Sequence, residues 1–408
     1  MTDHISAVFG THDEKTLAQL SDVGSRAEQV ALMADGHVGY VMPIGGVAAY
    51  DNKASVVGVG FDIACGNAAI RTNLSIGAFD RAHLDHLADA IQRTISFGIG
   101  RKNQSSDAPV DDPLFASPSW DVLRDVAGKH ERDALWKKAR DQIGTVGSGN
   151  HYVDVFADES GTVWVGVHFG SRGLGHTIAS GFLSLSQGKK WGERVRETEV
   201  LLDLSQPLGD AYWHLMELAG TYAYAGREWV ARQVVDLLGG REMELVHNHH
   251  NFAWKERHDG RELVVIRKGA TPAFPGQRGF VGGSMGDDAV IIEGARDGDE
   301  SLQRASMYST VHGAGRVMSR TEARGKVRGW GKNAQVVAPG KLNWEMVKEW
   351  LGPKGVILRG GGLDEAPQAY RRLPDVLAAQ GDTIRVLHTL RPIVVVMAGE
   401  NEVDPYKD

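Results

Sequence analysis

Apolar and polar positions follow two different periods along the chain, and together they predict its elements in order. Residues 14–34 carry apolar side chains at helical spacing. Val56–Leu74 reads as two short apolar strands on either side of a turn at Asp62 and Cys65. Residues 80–96 return to helical spacing, with Asp80 placed to cap the first turn. Residues 121–140 predict another helix, and Thr162–His168 alternates as a strand. Residues 208–238 predict one long helix or a broken pair, with Gly220 and Gly226 as the weak points. Strands follow at Glu262–Arg267, Ala289–Ile292 and Pro392–Met397, with helices near 343–351 and 374–390. Strands and helices do not alternate strictly, so the pattern predicts an α+β fold over a doubly wound sheet.

Composition narrows this picture. A chain of 408 residues could form one large domain or two ordinary ones. It has no repeat period and no low-complexity linker, so one domain over 1–408 is expected. Hydrophobic residues at 42% and charged residues at 24% are ordinary for a soluble globular protein. No apolar run reaches the roughly 18 residues of a membrane span. The start Met-Thr-Asp-His-Ile-Ser lacks a signal peptide's basic and apolar regions. The single cysteine excludes an internal disulfide and agrees with a reducing cytoplasm. With a net charge of −7, any affinity for nucleic acid has to come from a local basic patch.

Chemistry gathers at glycine-rich turns. Val57-Gly58-Val59-Gly60-Phe61-Asp62-Ile63-Ala64-Cys65-Gly66 sets a carboxylate three residues before the only thiol, which is half of a metal site. A lone cysteine is also a common core residue, so this stretch by itself favours the core. Four histidine segments shift the balance toward a site: Gly147-Ser148-Gly149-Asn150-His151, His168-Phe169-Gly170-Ser171-Arg172, Asn248-His249-His250-Asn251 and His312-Gly313-Ala314-Gly315-Arg316. Their spacing alone is a weak signal, because none has the close pairing of a His-Glu-x-x-His helix. Arg316, Arg320, Arg324 and Arg328 then recur every four residues, so the first three are expected on one helix face. From Arg316 to Lys332 there are six basic residues and one acidic, Glu322. A one-signed stripe behind a glycine loop reads as a phosphate track, since backbone amides and guanidiniums both bind phosphate oxygens.

Taken together, these segments resemble the RtcB family of RNA ligases. The resemblance covers most of the chain, including Asp35 to Tyr40, Pro43 to Ala48, Arg267 to Thr271, Gly283 to Gly286, Asp364 to Pro367, Tyr370 and His388 to Pro392. It implies mixed β-sheets around a central cleft that holds two metal ions. It also implies joining of RNA 3′-phosphate or 2′,3′-cyclic phosphate ends to 5′-hydroxyl ends. By resemblance, Cys65 bridges two Mn²⁺ ions, with His168 and His250 completing one site and Asp62 and His151 the other. His312 takes GMP covalently from GTP and Asp35 orients it. Asn150, Gly313, Ala314, Gly315 and Arg316 hold the nucleotide's phosphates, Ser284 and Tyr370 meet the guanine, and Arg172, Arg316 and Arg320 hold RNA phosphates. An archease-like activator is a further partner the resemblance implies. A thiolate with three imidazoles would by itself suggest zinc, because manganese binds such donors most weakly; manganese comes from the resemblance.

The chain departs from the family in four places. Ala64 stands where glycine usually precedes the cysteine, and Asp154 where glutamate is usual. The segment from Thr271 to Gly283 is short. The usual Lys-Gly end, whose lysine reaches the guanine, is replaced by Val396-Met397-Ala398-Gly399 and an extra tail over 400–408, in which Lys407 is the one candidate donor. Two rival functions remain: a metal phosphoesterase that opens cyclic phosphates without ligation, and a non-catalytic RNA-binding factor.

Overall fold

The computed structural model describes residues 4–328, 335–400 and 402. Lys332 and the tail residues other than Glu400 and Glu402, Lys407 among them, lie outside these described residues. Two sheets organise the chain. One has five strands in the order Ile5–Val8, Gln29–His37, Ile44–Tyr50, Arg261–Lys268, Asn251–His258. The larger runs Arg278–Val281, Ala289–Gly294, Ile384–Gly399, Tyr152–Ala157, Thr162–Phe169, Gly66–Ser75, Glu242–His249, with Ile357–Gly361 parallel to Ile384–Gly399. Helices pack over the sheets, and the architecture is α+β as expected. Among the described residues no helix is long and apolar enough to cross a membrane.

Helices with a cap and a clear period form where predicted. The Asp80 carboxylate accepts from the His83 amide at 2.9 Å, and Arg81–Thr94 buries Leu84, Leu87, Ala88 and Ile91. Trp344–Leu351 is likewise helical, capped by Asn343. The long helix is unbroken over Pro207–Leu237, 31 residues. Gly220 does not weaken it but admits a neighbour: a Cβ there would lie 2.9 Å from the Phe252 ring.

Four expectations are corrected. The helix predicted over 14–34 ends at Gly24, and Gln29–His37 is a strand. Its Val30 and Leu32 enter one core while Ala31, Met33 and Ala34 enter another. A strand buried on both faces loses the two-residue alternation that would reveal it. The first of the two strands predicted in Val56–Leu74 is a single helical turn, Val56–Val59, held by the Ser55 hydroxyl accepting from the Gly58 amide at 2.8 Å. The helix over 121–140 is two, Ser119–Ala127 and Lys129–Gln142, parted at Gly128 with φ 95°. The helix over 374–390 stops at Ala379, and Ile384 begins a 16-residue strand.

The strand register brings the predicted metal residues to one place. Gly66 pairs with Phe169 on one side and His249 on the other, and Tyr152 pairs with His168. Cys65, His151, His168 and His250 therefore stand at a common end of adjacent strands. There the chain passes from the larger sheet at His249 into the smaller at Asn251.

Candidate active site

A tight turn closes on Cys65. Its amide donates to Asp62 O at 3.0 Å, and its own carbonyl accepts from the His250 amide at 2.8 Å. Cys65 Sγ lies 3.6 Å from His168 Nε2 and 3.7 Å from His151 Nε2, and His151 Nε2 lies 3.1 Å from Asp62 Oδ2. Two triads result, Cys65–His168–His250 and Asp62–Cys65–His151, each with its ligand atoms within 4.8 Å of one another. The thiol belongs to both.

The two histidines of the first triad, His168 and His250, are in the state ligation needs. His168 Nδ1 meets Asn67 Oδ1 at 2.6 Å, and the Asn67 amide nitrogen donates to Phe280 O. That oxygen can only accept, so the ring proton sits on Nδ1 and the lone pair of Nε2 faces the thiol. Burial holds His168 and His250 well below the ordinary imidazole value, hence neutral. Burial would raise Asp62, but the bond and charge of His151 and the charge of Arg172 bring its carboxyl below the usual value. Burial, reinforced by the Asp62 charge, pushes the Cys65 thiol up, a proton that a bound cation would displace. His151 Nδ1 and His250 Nδ1 are buried without a hydrogen-bond partner among the described residues. A soft anion shared between imidazoles and one carboxylate fits a pair of divalent ions.

His312 stands against this centre, its ring 4.9 Å from that of His250. Its Nδ1 lies 2.6 Å from Oδ2 of the fully buried Asp35. The contact is off the line of the ring N–H, so it acts as a close charge more than as a formed hydrogen bond. The same oxygen accepts the backbone amides of His312 and Gly313 at 3.0 and 3.2 Å. Arg371 in turn donates to the carbonyls of Asp35 and Gly36. Asp35 thus fixes the loop through its backbone amides and stands beside Nδ1 of the ring.

The remaining predicted residues converge less uniformly. Arg172 packs on Gly147 of the Gly147–His151 loop and donates to Gly98 O at 3.2 Å, while Asn150 is exposed at the end of that loop. Gly313 faces the Gly282 carbonyl, so the His312–Gly315 loop meets the loop of Ser284. Ala314 is buried, and Gly315 O accepts the Arg371 amide. The Ser284 hydroxyl donates to Asp287. Asp154 is buried with Oδ1 unpartnered among the described residues, and burial raises its carboxyl well above the usual value despite an amide bond from Val396. Met397 faces Tyr152 in the strand register where the departure from Lys-Gly was noted.

The arginine stripe is corrected. Only Arg320–Arg324 is helical; Arg316 bridges to Tyr370 and Arg328 lies on the strand Gly325–Arg328. The guanidiniums of Arg316, Arg320 and Arg324 therefore do not all share one helix face and fold onto two buried carboxylates. Arg316 reaches Glu365 at 3.3 Å, Asp364 O at 2.7 Å and the Tyr370 hydroxyl at 2.9 Å. Arg320 touches Glu365 and lies 3.4 Å from Asp364, with Arg324 at 3.9 Å. The Tyr370 hydroxyl also donates to Glu365. Sequence reasoning gave Asp364 and Glu365 no role. The adjacent acidic pair after Gly360-Gly361-Gly362 was the available signal.

A family model described as tRNA-splicing ligase RtcB matches residues 16–398. The chain belongs to the RtcB family. Among its relatives, the RNA-splicing ligase RtcB of Escherichia coli (strain K12) is 32% identical over 391 residues, covering 90% of each chain. The tRNA-splicing ligase RtcB of Archaeoglobus fulgidus is 33% identical over 436 residues, covering 89% of this chain and 86% of its own. That of Thermococcus kodakarensis is 32% identical over 437 residues, with the same coverage. The RtcB family match spans both triads and His312.

Proposed function

We propose that this protein is an RNA ligase that joins 3′-phosphate or 2′,3′-cyclic phosphate ends to 5′-hydroxyl ends, with GTP as its energy source and two Mn²⁺ ions at the paired triads. The observation that carries this reading is His312, with one ring nitrogen against buried Asp35 and its ring against His250. A carboxylate beside Nδ1 favours the ring proton on that nitrogen, and an imidazole so oriented can attack the α-phosphate of GTP through Nε2. A phosphorus–nitrogen bond forms and pyrophosphate leaves. The RNA 3′-phosphate then takes GMP from His312, and the 5′-hydroxyl displaces GMP as the phosphodiester closes. Cys65, His168 and His250 would hold one ion, and Asp62, Cys65 and His151 the other. Bound there, the ions would supply charge neutralisation and orientation of phosphate oxygens. Arg172, Asn150 and the His312–Gly315 loop would receive phosphates, Ser284 and Tyr370 the guanine. An archease-like activator and a reducing cytoplasm belong to the same reading, the latter supported by the free thiol.

The test is covalent labelling. Incubated with GTP and Mn²⁺, the protein should gain the mass of one GMP, and His312→Ala should gain none while keeping its metal content. Labelling of the variant at the parent level removes His312 from the role. A parent that never labels yet opens a cyclic phosphate is a phosphoesterase, the rival that the Met397-Ala398 end makes worth measuring.

A further inference from the structure

Arg227 lies near the middle of the Pro207–Leu237 helix and is fully buried. Among the described residues no carboxylate lies within ion-pair distance of it. A buried cation without such a partner is costly, and four hydrogen bonds offset that cost here. Nη1 donates to Ala64 O at 2.8 Å and to Phe169 O at 2.6 Å. Nε donates to His247 Nε2 at 3.0 Å, and Nη2 meets His249 Nδ1 at 2.8 Å. Guanidinium has no acceptor, so both rings accept from it and are neutral. His247 keeps its proton on Nδ1, which faces Glu228 at 3.4 Å.

Three of the four partners adjoin the triad in the chain. Ala64 precedes Cys65, Phe169 follows His168, and His249 precedes His250. We propose that Arg227 is the positioning residue of the Cys65–His168–His250 triad: one planar fork ties together the three chain segments that carry it. Asp62 and His151, the other two residues of the second triad, have no bond to Arg227. This inference rests on the metal reading proposed above.

Ala64 sharpens the argument. Its φ of 61° is left-handed, a conformation a residue with a Cβ adopts only at a cost. It is held from both sides, its amide donating to Asn251 O at 2.7 Å and its carbonyl taken by Arg227. Lysine cannot replace this hold, since an ammonium is a point donor without the rigid fork that spans two carbonyls and two rings.

The test uses the full chain, stripped of metal and titrated with Co²⁺, whose thiolate-to-metal absorption reports ligation by Cys65. The parent should bind two ions; fewer would overturn the metal reading itself. Arg227→Lys, with its fold checked by circular dichroism, should weaken one site by about tenfold or more and leave the other within about threefold. Adding His168→Ala should then do little further harm, whereas adding His151→Ala should abolish binding. If Arg227→Lys does not fold, His247→Leu strips one acceptor without touching a ligand and should weaken the same site selectively. Two sites weakened alike, or two sites unaffected beside a parent that binds two ions, would overturn the role of Arg227 and leave the metal reading standing.

Discussion

Replacing Arg320 by alanine tests what the corrected arginine cluster is for. The side chain is 15% exposed, and the carboxylates of Asp364 and Glu365 beneath it are 5% and 3% exposed. Arg316 and Arg324 are the other cations there, at 3.3 Å from Glu365 and 3.9 Å from Asp364. Removing one partner of a buried ion pair costs about 3–5 kcal/mol when a charge is stranded, an upper limit here because Arg316 and Arg324 stay beside the carboxylates. At roughly 2.1 cal/mol/K per residue, 408 residues give an unfolding entropy near 0.9 kcal/mol/K, so the melting temperature should fall by several degrees and by no more than about 6 °C. Arg304→Ala is the control. Its partner pair with Glu300 is 54% and 69% exposed, so solvent screens it and its loss should hardly move the melting temperature. Melting is followed in the metal-free protein without RNA, beside binding of an RNA 3′-phosphate end. Arg320→Ala/Glu365→Gln should recover at least half of the loss, because it removes the stranded charge. Should Arg320→Ala melt within about 1 °C of the parent while RNA-end binding falls tenfold or more, the guanidinium is reserved for phosphate and the structural reasoning is wrong.

Cys65→Ser should lose both ions together, because a serine hydroxyl is a poor bridging anion near neutral pH; metal analysis that still finds two ions would make the thiol a core residue only. Asp154→Asn bears on pH. The fold keeps this carboxyl protonated by burial, whereas the unfolded chain releases the proton near the ordinary value of 3.8. Between those values the fold binds more protons, so Asp154 costs stability progressively as pH rises above 3.8. The stability gain of Asp154→Asn over the parent should therefore be larger at pH 8 than at pH 5. Melting curves with the same difference at both would contradict the assignment.

What the sequence disclosed follows the physics of each signal. Asp80 and the apolar period behind it announce a helix because cap and period agree. The strand Gln29–His37 was unreadable because both of its faces are buried in different cores. In the arginine stripe a period of four outweighed a better signal, the capping box of Ser319 and Glu322 that starts the helix at Arg320. The candidate metal residues were named through the family resemblance: thiol, imidazole and carboxylate are visible as residue types, but their spacing alone was a weak signal. Arg227 was not named, because it works largely through backbone carbonyls, and no pattern of side chains marks a carbonyl that needs a donor.

Asp35 and His312 are 277 residues apart in the chain, and their contact closes the candidate centre. At roughly 5–20 residues per second, a ribosome needs about 14–55 s to pass from one to the other. During that interval Cys65, His151, His168 and His250 are added in turn, yet the imidazole that would take the nucleotide does not exist. Chemistry at this centre is therefore among the last properties the growing chain acquires, and on the proposed reading no nucleotide could be taken until well after the five-stranded sheet, complete at Lys268, has been made.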